Sequence, residues 1–409
     1  MSIDSADLRS KRARLSPAGY FPDPPIPVRF AFEQGTPSPE SYPVEDLVQS
    51  AHDALEKYGT LLCEYVDTGR REMRYGNLAL RQAVASRLGA RDGRPLSAEE
   101  VMLTNGSSQA LSLIANAFVD EGDGVVVEAL TFPFAIDYFR ACGGEIARAE
   151  LDDDGIVVES VAKALDDFDR RGITPKLIYT IPTFQVPTGR VLPLERRRQL
   201  LALAKERGVL VVEDNCYYEL RYSGEDVPTL FSLDDADIVL QTDSFSKIVS
   251  PGLRMGWVAG PTHALDALGV VRQDLGVSQW NAHVLELFIT SGRLDAHVAR
   301  LRAHNREKRD LAAAALREHC AGLVRFRVPE GGIFFWLELS EDTDCEALRE
   351  ECLRRGLSTR PGEVFSDDSD AQRYLRMAFL PPSKKDLAEG IQAFGEALRA
   401  TQHVRDGAA

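Results

Sequence analysis

The sequence of 409 residues has no apolar run near the roughly 20 residues that a membrane-spanning helix requires. Its six cysteines, at 63, 142, 216, 320, 345 and 352, show neither CxxC nor any other metal-ligand spacing. That pattern fits reduced thiols, not a disulfide framework or a metal centre. The seven histidines are dispersed, and a lone one such as His52 reads as structural or surface, so no metal is expected. Basic charge is in short supply: 48 Lys and Arg face 63 Asp and Glu, a net of −15. A nucleic-acid partner needs a basic surface, so that function class is set aside. No apolar stretch follows Lys11-Arg12-Ala13-Arg14, so no signal peptide is read and a cytoplasmic location is expected. Internal repeats and low-complexity segments are also missing. What is present is ordinary globular composition, 44% apolar and 27% charged, in a chain long enough for two domains.

From about residue 60 onward, short apolar runs alternate with amphipathic segments. Val125-Val126-Val127, Leu177-Ile178-Tyr179-Thr180, Val209-Leu210-Val211-Val212 and Ile238-Val239-Leu240 read as buried strands. Asn77–Leu88, the segment after Ser107 and Pro193–Arg207 read as helices, the last opened by proline and closed by Gly208. This alternation predicts an α/β fold, a mainly parallel sheet sandwiched by helices. The first thirty residues, ending in Pro22-Asp23-Pro24-Pro25-Ile26-Pro27, read as an extended arm. The expected division is 1–59 as arm and part of a small domain, 60–285 as the large domain, and 286–409 as the C-terminal small domain.

Four groups of residues carry chemistry. Thr242-Asp243-Ser244-Phe245-Ser246-Lys247 follows a buried strand, and ligand sites in such sheets form beyond the strands' carboxyl ends. A partly desolvated lysine there loses its proton readily and serves as a Schiff-base amine, although most lysines are plain surface cations. Ser244 and Arg254 suit a phosphate. Thr104-Asn105-Gly106-Ser107-Ser108 opens a helix, where unpaired N–H groups favour an anion; Ser107 suits the N-cap as well. Asp214 ends an apolar strand and needs a partner if it points inward, or is a simple cap. In Tyr374–Phe379, Leu375, Met377 and Phe379 share one face, which leaves Arg376 facing either water or a cleft.

Ser-x-Ser-Lys followed seven residues later by Arg closely resembles the pyridoxal-phosphate (PLP) lysine region of fold-type I, class I/II aminotransferases. Four further segments resemble that family in the same order. The resemblance implies that Lys247 holds the cofactor, that Asp214 pairs with its pyridine nitrogen, and that Tyr217 of Asp-x-x-Tyr reaches its phenolic oxygen. Ser107, Ser108, Ser244, Ser246 and Arg254 would hold the phosphate, Phe132 would stack on the ring, and Arg376 would clamp the substrate carboxylate. Gly35, in Gly35-Thr36-Pro37, would admit the substrate to the backbone. Tyr65, with Tyr75 as the alternative, would reach the phosphate of a neighbouring subunit, since the family is usually homodimeric. Pro182-Thr183-Phe184-Gln185-Val186-Pro187-Thr188-Gly189 nearly matches the family's Pro-x-x-Gln-Asn-Pro-Thr-Gly loop. Val186 stands where the asparagine belongs, beside substrate and ring. The implied function is transfer of an α-amino group from an amino acid to a 2-oxo acid. Alternatives are elimination, oxidation or a carbon–carbon bond step on the same scaffold, a non-catalytic PLP-binding protein, or a regulator.

Overall fold

The computed structural model describes residue 8 and residues 10–15, 26–65 and 70–402. Most of the arm expected over the first thirty residues lies outside these, as does the end of the tail. The apolar runs assemble into a seven-stranded sheet. Its order is Val101–Thr104, Gly256–Ala259, Val239–Ser244, Leu210–Asp214, Pro175–Thr180, Gly124–Glu128 and Glu145–Ala149. The five strands from Val239–Ser244 to Glu145–Ala149 pair in parallel, and Gly256–Ala259 runs antiparallel to both of its neighbours. Parallel pairing requires crossover helices, which bury both faces. That is why these strands read as unbroken apolar runs: Gly124–Glu128 and Val239–Ser244 are buried at every position.

Helix ends follow local chemistry. Asn77 caps the helix Leu78–Asp92 by accepting from Leu80 N (3.1 Å), and Gly208, at φ 62°, closes Leu194–Arg207. Since parallel strands share a direction, their final residues Glu128, Thr180, Asp214 and Ser244 gather at one edge of the sheet. Val101–Thr104 runs the same way and adds Thr104 to that edge.

A second, antiparallel sheet orders Val324–Phe326, Phe334–Leu339, Tyr374–Ala378 and Arg360–Pro361. The long helix Arg293–His319 and the helix Lys384–Ala400 pack together in this part of the chain. Phe30–Ala31 pairs in parallel with Leu357–Ser358, so the N-terminal segment joins the C-terminal structure. The next helix, Val44–Tyr58, instead packs on Gln279–Thr290, with Ala54, Leu62 and Val284 at the contact. No described helix is long and apolar enough to cross a membrane.

The segment after Asp214 is tied to the second sheet through Gly331. Arg221 and Gly331 form an antiparallel bridge, Tyr222 N donates to Glu330 O (2.7 Å), and Gly332 N donates to Leu220 O (2.9 Å). A Cβ on Gly331 would collide with the Phe184 ring and the Leu220 carbonyl oxygen. Gly331→Ala should therefore destabilise the protein by about 2–4 kcal/mol, as overpacking against backbone does. Denaturant unfolding checks this, with an unchanged midpoint as the contrary result.

Candidate active site

The polar edge of the large sheet is the floor of the site. Beyond Thr104 the chain turns through Gly106, at φ +80°, into the helix Ser107–Phe118. The cap position expected of Ser107 falls to Gly106, whose backbone is left-handed. At φ +80° and ψ 169° Gly106 holds a backbone conformation that side-chain-bearing residues rarely adopt, and a Cβ there would also sit 2.6 Å from Arg254 Nη2. Arg254 donates to Asn105 O (2.9 Å) at the head of that helix. Ser107 and Ser108 thus fill the first helical positions, where backbone N–H groups have no helical acceptor. The Ser244 hydroxyl donates to Ser246 Oγ (2.8 Å) and accepts from Ser246 N (3.0 Å). Gly256 Cα lies where a side chain would meet Asp243 O (2.6 Å) and Gly106 Cα (2.9 Å), which keeps both halves of this anion cradle together.

Asp214 is 6% exposed, and the Tyr179 hydroxyl donates to its Oδ2 (2.9 Å). Burial pushes its carboxyl pKa up, opposed by hydrogen bonds from Cys216 and Tyr179 and by the Lys247 charge. Tyr217, next but two along the chain, packs edge-on to Phe334 at 6.0 Å. The Lys247 ammonium lies 6.0 Å over the Tyr217 ring and donates to Gly35 O (2.6 Å). Burial pulls the Lys247 pKa down, which favours the nucleophilic free amine.

Two readings are left open for Arg376 in the sequence, and its side chain does not face water. It is 4% exposed on the strand Tyr374–Ala378, between the Phe334 ring (4.0 Å) and the Phe365 ring (5.0 Å). Its Nη2 donates to Glu33 O (2.6 Å), and its Nε has no hydrogen-bond partner. Burial lowers its pKa to about 9. A buried guanidinium with an unmet donor is a ready receptor for a carboxylate.

Two groups that carry the site went unassigned in the sequence. One is Tyr179, read only as a strand residue. The other is Glu128, 1% exposed at the end of its apolar strand, the same signal that drew notice to Asp214. Glu128 accepts from Thr180 Oγ1 (2.6 Å), Ile181 N (3.0 Å), Gln185 Nε2 (2.8 Å) and Thr131 Oγ1 (3.4 Å). Gln185 in turn donates to Leu130 O (2.6 Å) and accepts from Thr188 Oγ1 (2.6 Å). Glu128 thereby fixes Thr131 beside Phe132 and Gln185 beside Val186, which is 3% exposed. Phe132 leads into the helix Pro133–Ala141 with its ring 5.0 Å from Phe134. Tyr65 is 82% exposed, whereas Tyr75 is 1% exposed with its hydroxyl on Asp266 (2.6 Å). Among the described residues His52, Asp53 and Glu56 lie near one another, and Asp53 is ion-paired with Arg293 at 2.8 Å.

The profile for aminotransferase class I and II matches residues 41–394. The chain belongs to that family. It is 34% identical over 367 residues to an aromatic-amino-acid aminotransferase of Thermococcus litoralis, covering 89% of this chain and 87% of the relative. The multiple substrate aminotransferase of Thermococcus profundus superposes with a TM-score of 0.88 at 32% identity, over 97% of this chain and 99% of that one. The α-aminoadipate aminotransferase of Thermus thermophilus, solved with N-(5'-phosphopyridoxyl)-L-leucine, gives 0.86 at 30% identity, covering 97% and 99%. The protein is therefore an α/β, fold-type I aminotransferase, a transferase acting on amino and oxo acids, and the family implies PLP as its cofactor.

Burial lifts the Glu128 carboxyl to about 7, against the hydrogen bonds from Gln185, Thr180, Ile181 and Thr131 that pull it down. A raised carboxyl pKa stabilises the fold fully below the unfolded value, and this contribution is lost as pH rises through the folded value. Glu128→Gln should flatten the stability curve between roughly pH 4.5 and 7 by no more than about 3 kcal/mol. Urea unfolding of the cofactor-free protein across that range measures it; an unaltered slope would contradict the assignment.

Proposed function

We propose that this aminotransferase binds PLP at the polar edge of the large sheet and moves the α-amino group of a bulky apolar or aromatic amino acid to a 2-oxo acid. The observation that carries this reading is that a half-buried amine, Lys247, lies within electrostatic reach of a buried carboxylate, Asp214, and a buried guanidinium, Arg376. PLP supplies an aldehyde carbon that condenses with amines and a cationic ring that withdraws electrons from the carbon next to the nitrogen.

The chain's own residues do the rest. Ser107, Ser108, Ser244, Ser246 and Arg254 would hold the phosphate with hydroxyls, helix N–H groups and a guanidinium. Asp214 would face the ring nitrogen and favour its protonated form, and Tyr179 holds that carboxylate in place. Tyr217 would reach the phenolic oxygen, and Phe132 would cover the ring. Lys247 would hold the cofactor, and its amine would serve as the base at the substrate Cα. Arg376 would bind the α-carboxylate, and Gly35 would let the backbone approach it. Phe334 and Phe365 pack on Arg376, and this apolar surround suits a large uncharged side chain.

Val186 favours a second reading as well. Valine offers no donor to the phenolic oxygen, so that oxygen keeps more of its charge, and another outcome on this scaffold becomes accessible. A single anaerobic turnover distinguishes the two: only the amino form of the cofactor and the matching keto acid mean plain transamination.

The working unit is a homodimer. Val48, Leu55, Leu61, Tyr65, Leu275 and Trp280 are exposed apolar side chains on the helix Val44–Tyr58, the stretch after it, the segment before Gln279–Thr290 and the start of that helix. A second copy would cover them, and Tyr65 is free to reach across. Residues 60–285 form the large domain and 286–409 the small one, with residues 30–41 of the N-terminal segment on the small domain.

Borohydride reduction of the cofactor-loaded protein should place the label on Lys247, and Lys247→Ala should abolish both label and colour; label on another lysine contradicts the assignment. Arg376→Ala should lower kcat/KM for amino acids by about 2–4 kcal/mol in transition-state binding while cofactor affinity is kept. Equal losses for the carboxylate-free amine would show that Arg376 has another role.

A further inference from the structure

Both cations of the cleft are met by the same stretch of backbone. Arg376 donates to Glu33 O (2.6 Å) and Lys247 to Gly35 O (2.6 Å), so two carbonyls of one N-terminal strap define where each side chain can lie. At its near end the strap is held as a strand: Phe32 N donates to Ser358 O (2.9 Å) and Ala378 N to Phe32 O (2.8 Å). At its far end it is held by Lys308, a side chain of the long helix Arg293–His319 that plays no part in the chemistry above.

The Lys308 side chain is fully buried, and its partners are all oxygens. Its ammonium donates to Ser38 Oγ (2.7 Å), Leu380 O (2.5 Å), Glu40 Oε1 (3.3 Å) and Pro382 O. The Ser38 hydroxyl itself donates to Leu380 O (2.6 Å). Ser38 and Glu40 lie three and five residues past Gly35, and Leu380 and Pro382 lie four and six past Arg376. One ammonium thus joins the strap to the chain that leaves the carboxylate-binding strand. Burying an ammonium is costly unless its hydrogens are all met, and here they hold together two segments more than 300 residues apart.

We propose that Lys308 is a positioning residue for substrate binding: by cross-tying Ser38 to Leu380 it sets the strap whose Glu33 carbonyl aims Arg376. The proposal rests on the functional reading above in its second consequence only. The first consequence is mechanical and holds without cofactor or substrate. Losing the tie frees the strap, and Arg376 then loses the fixed aim that a bidentate carboxylate contact requires.

Two measurements separate these consequences. In the cofactor-free protein, Lys308→Met should speed amide exchange at Ser41 and neighbouring strap residues about ten-fold or more, with Val239–Ser244 as protected as before. In the cofactor-loaded protein, the dissociation constant for 3-phenylpropionate, which has a carboxylate and no amine, should rise about ten-fold or more. That for 2-phenylethylamine, which has an amine and no carboxylate, should change by less than about three-fold. A purely structural role would weaken both probes alike. Ser38→Ala, which removes one arm of the tie and leaves the ammonium its other acceptors, should show both effects in smaller measure and carries the test should Lys308→Met not fold. Unchanged strap exchange, or equal changes for the two probes, would overturn the proposal. A protein that binds no PLP would instead overturn the functional reading, and the exchange experiment would still decide the role of Lys308.

Discussion

Desolvated charge is the constraint around which this molecule is arranged. A parallel sheet covered by helices on both faces has no water to offer the side chains at its strand ends, yet Glu128 and Asp214 end their strands there. Each is kept by donors from elsewhere: Glu128 by Thr180, Ile181, Gln185 and Thr131, and Asp214 by Tyr179. Arg376 and Lys247 meet the same difficulty with opposite sign and meet it with backbone carbonyls of the strap. The carbonyls are neutral, so both cations keep their capacity for a true anion.

That incomplete compensation is what makes the cleft chemically ready. Burial shifts the Lys247 and Arg376 pKa values down and the Asp214 value up, each away from its charged form. Under the function proposed above, a cofactor carrying a phosphate and a cationic ring, followed by a substrate carrying a carboxylate, would supply the missing countercharges. Burial lowers the pKa of Arg197 as well, to about 10, but its hydrogens are taken up by Leu192 O, Pro182 O, Pro228 O and Thr183 Oγ1 beside Glu213.

The loop that carries Val186 shows how one structural acid governs a functional neighbour. Gln185 is gripped at both ends of its amide, by Glu128 on one side and Thr188 on the other. Val186, the next residue, is 3% exposed, so a grip made on Gln185 holds its neighbour in the interior.

The sequence alone determined the alternating elements, the class of fold and the inventory of functional groups. Apolar runs without alternation announce buried parallel strands, and the contiguous segments around Ser107, Asp214 and Lys247 each carry their chemistry within a few residues. Local patterns extend no further than the turn or strand that produces them. They left Ser107 as the expected cap, where the left-handed turn takes Gly106, and left Arg376 between water and cleft. They were also silent on Tyr179 against Asp214 and on Lys308 between Ser38 and Leu380, although every residue concerned was in plain view. Such contacts join residues tens to hundreds of positions apart. Only the packing of two sheets and a strap decides which buried charge meets which dipole, because desolvation is a property of the assembled interior and not of any segment.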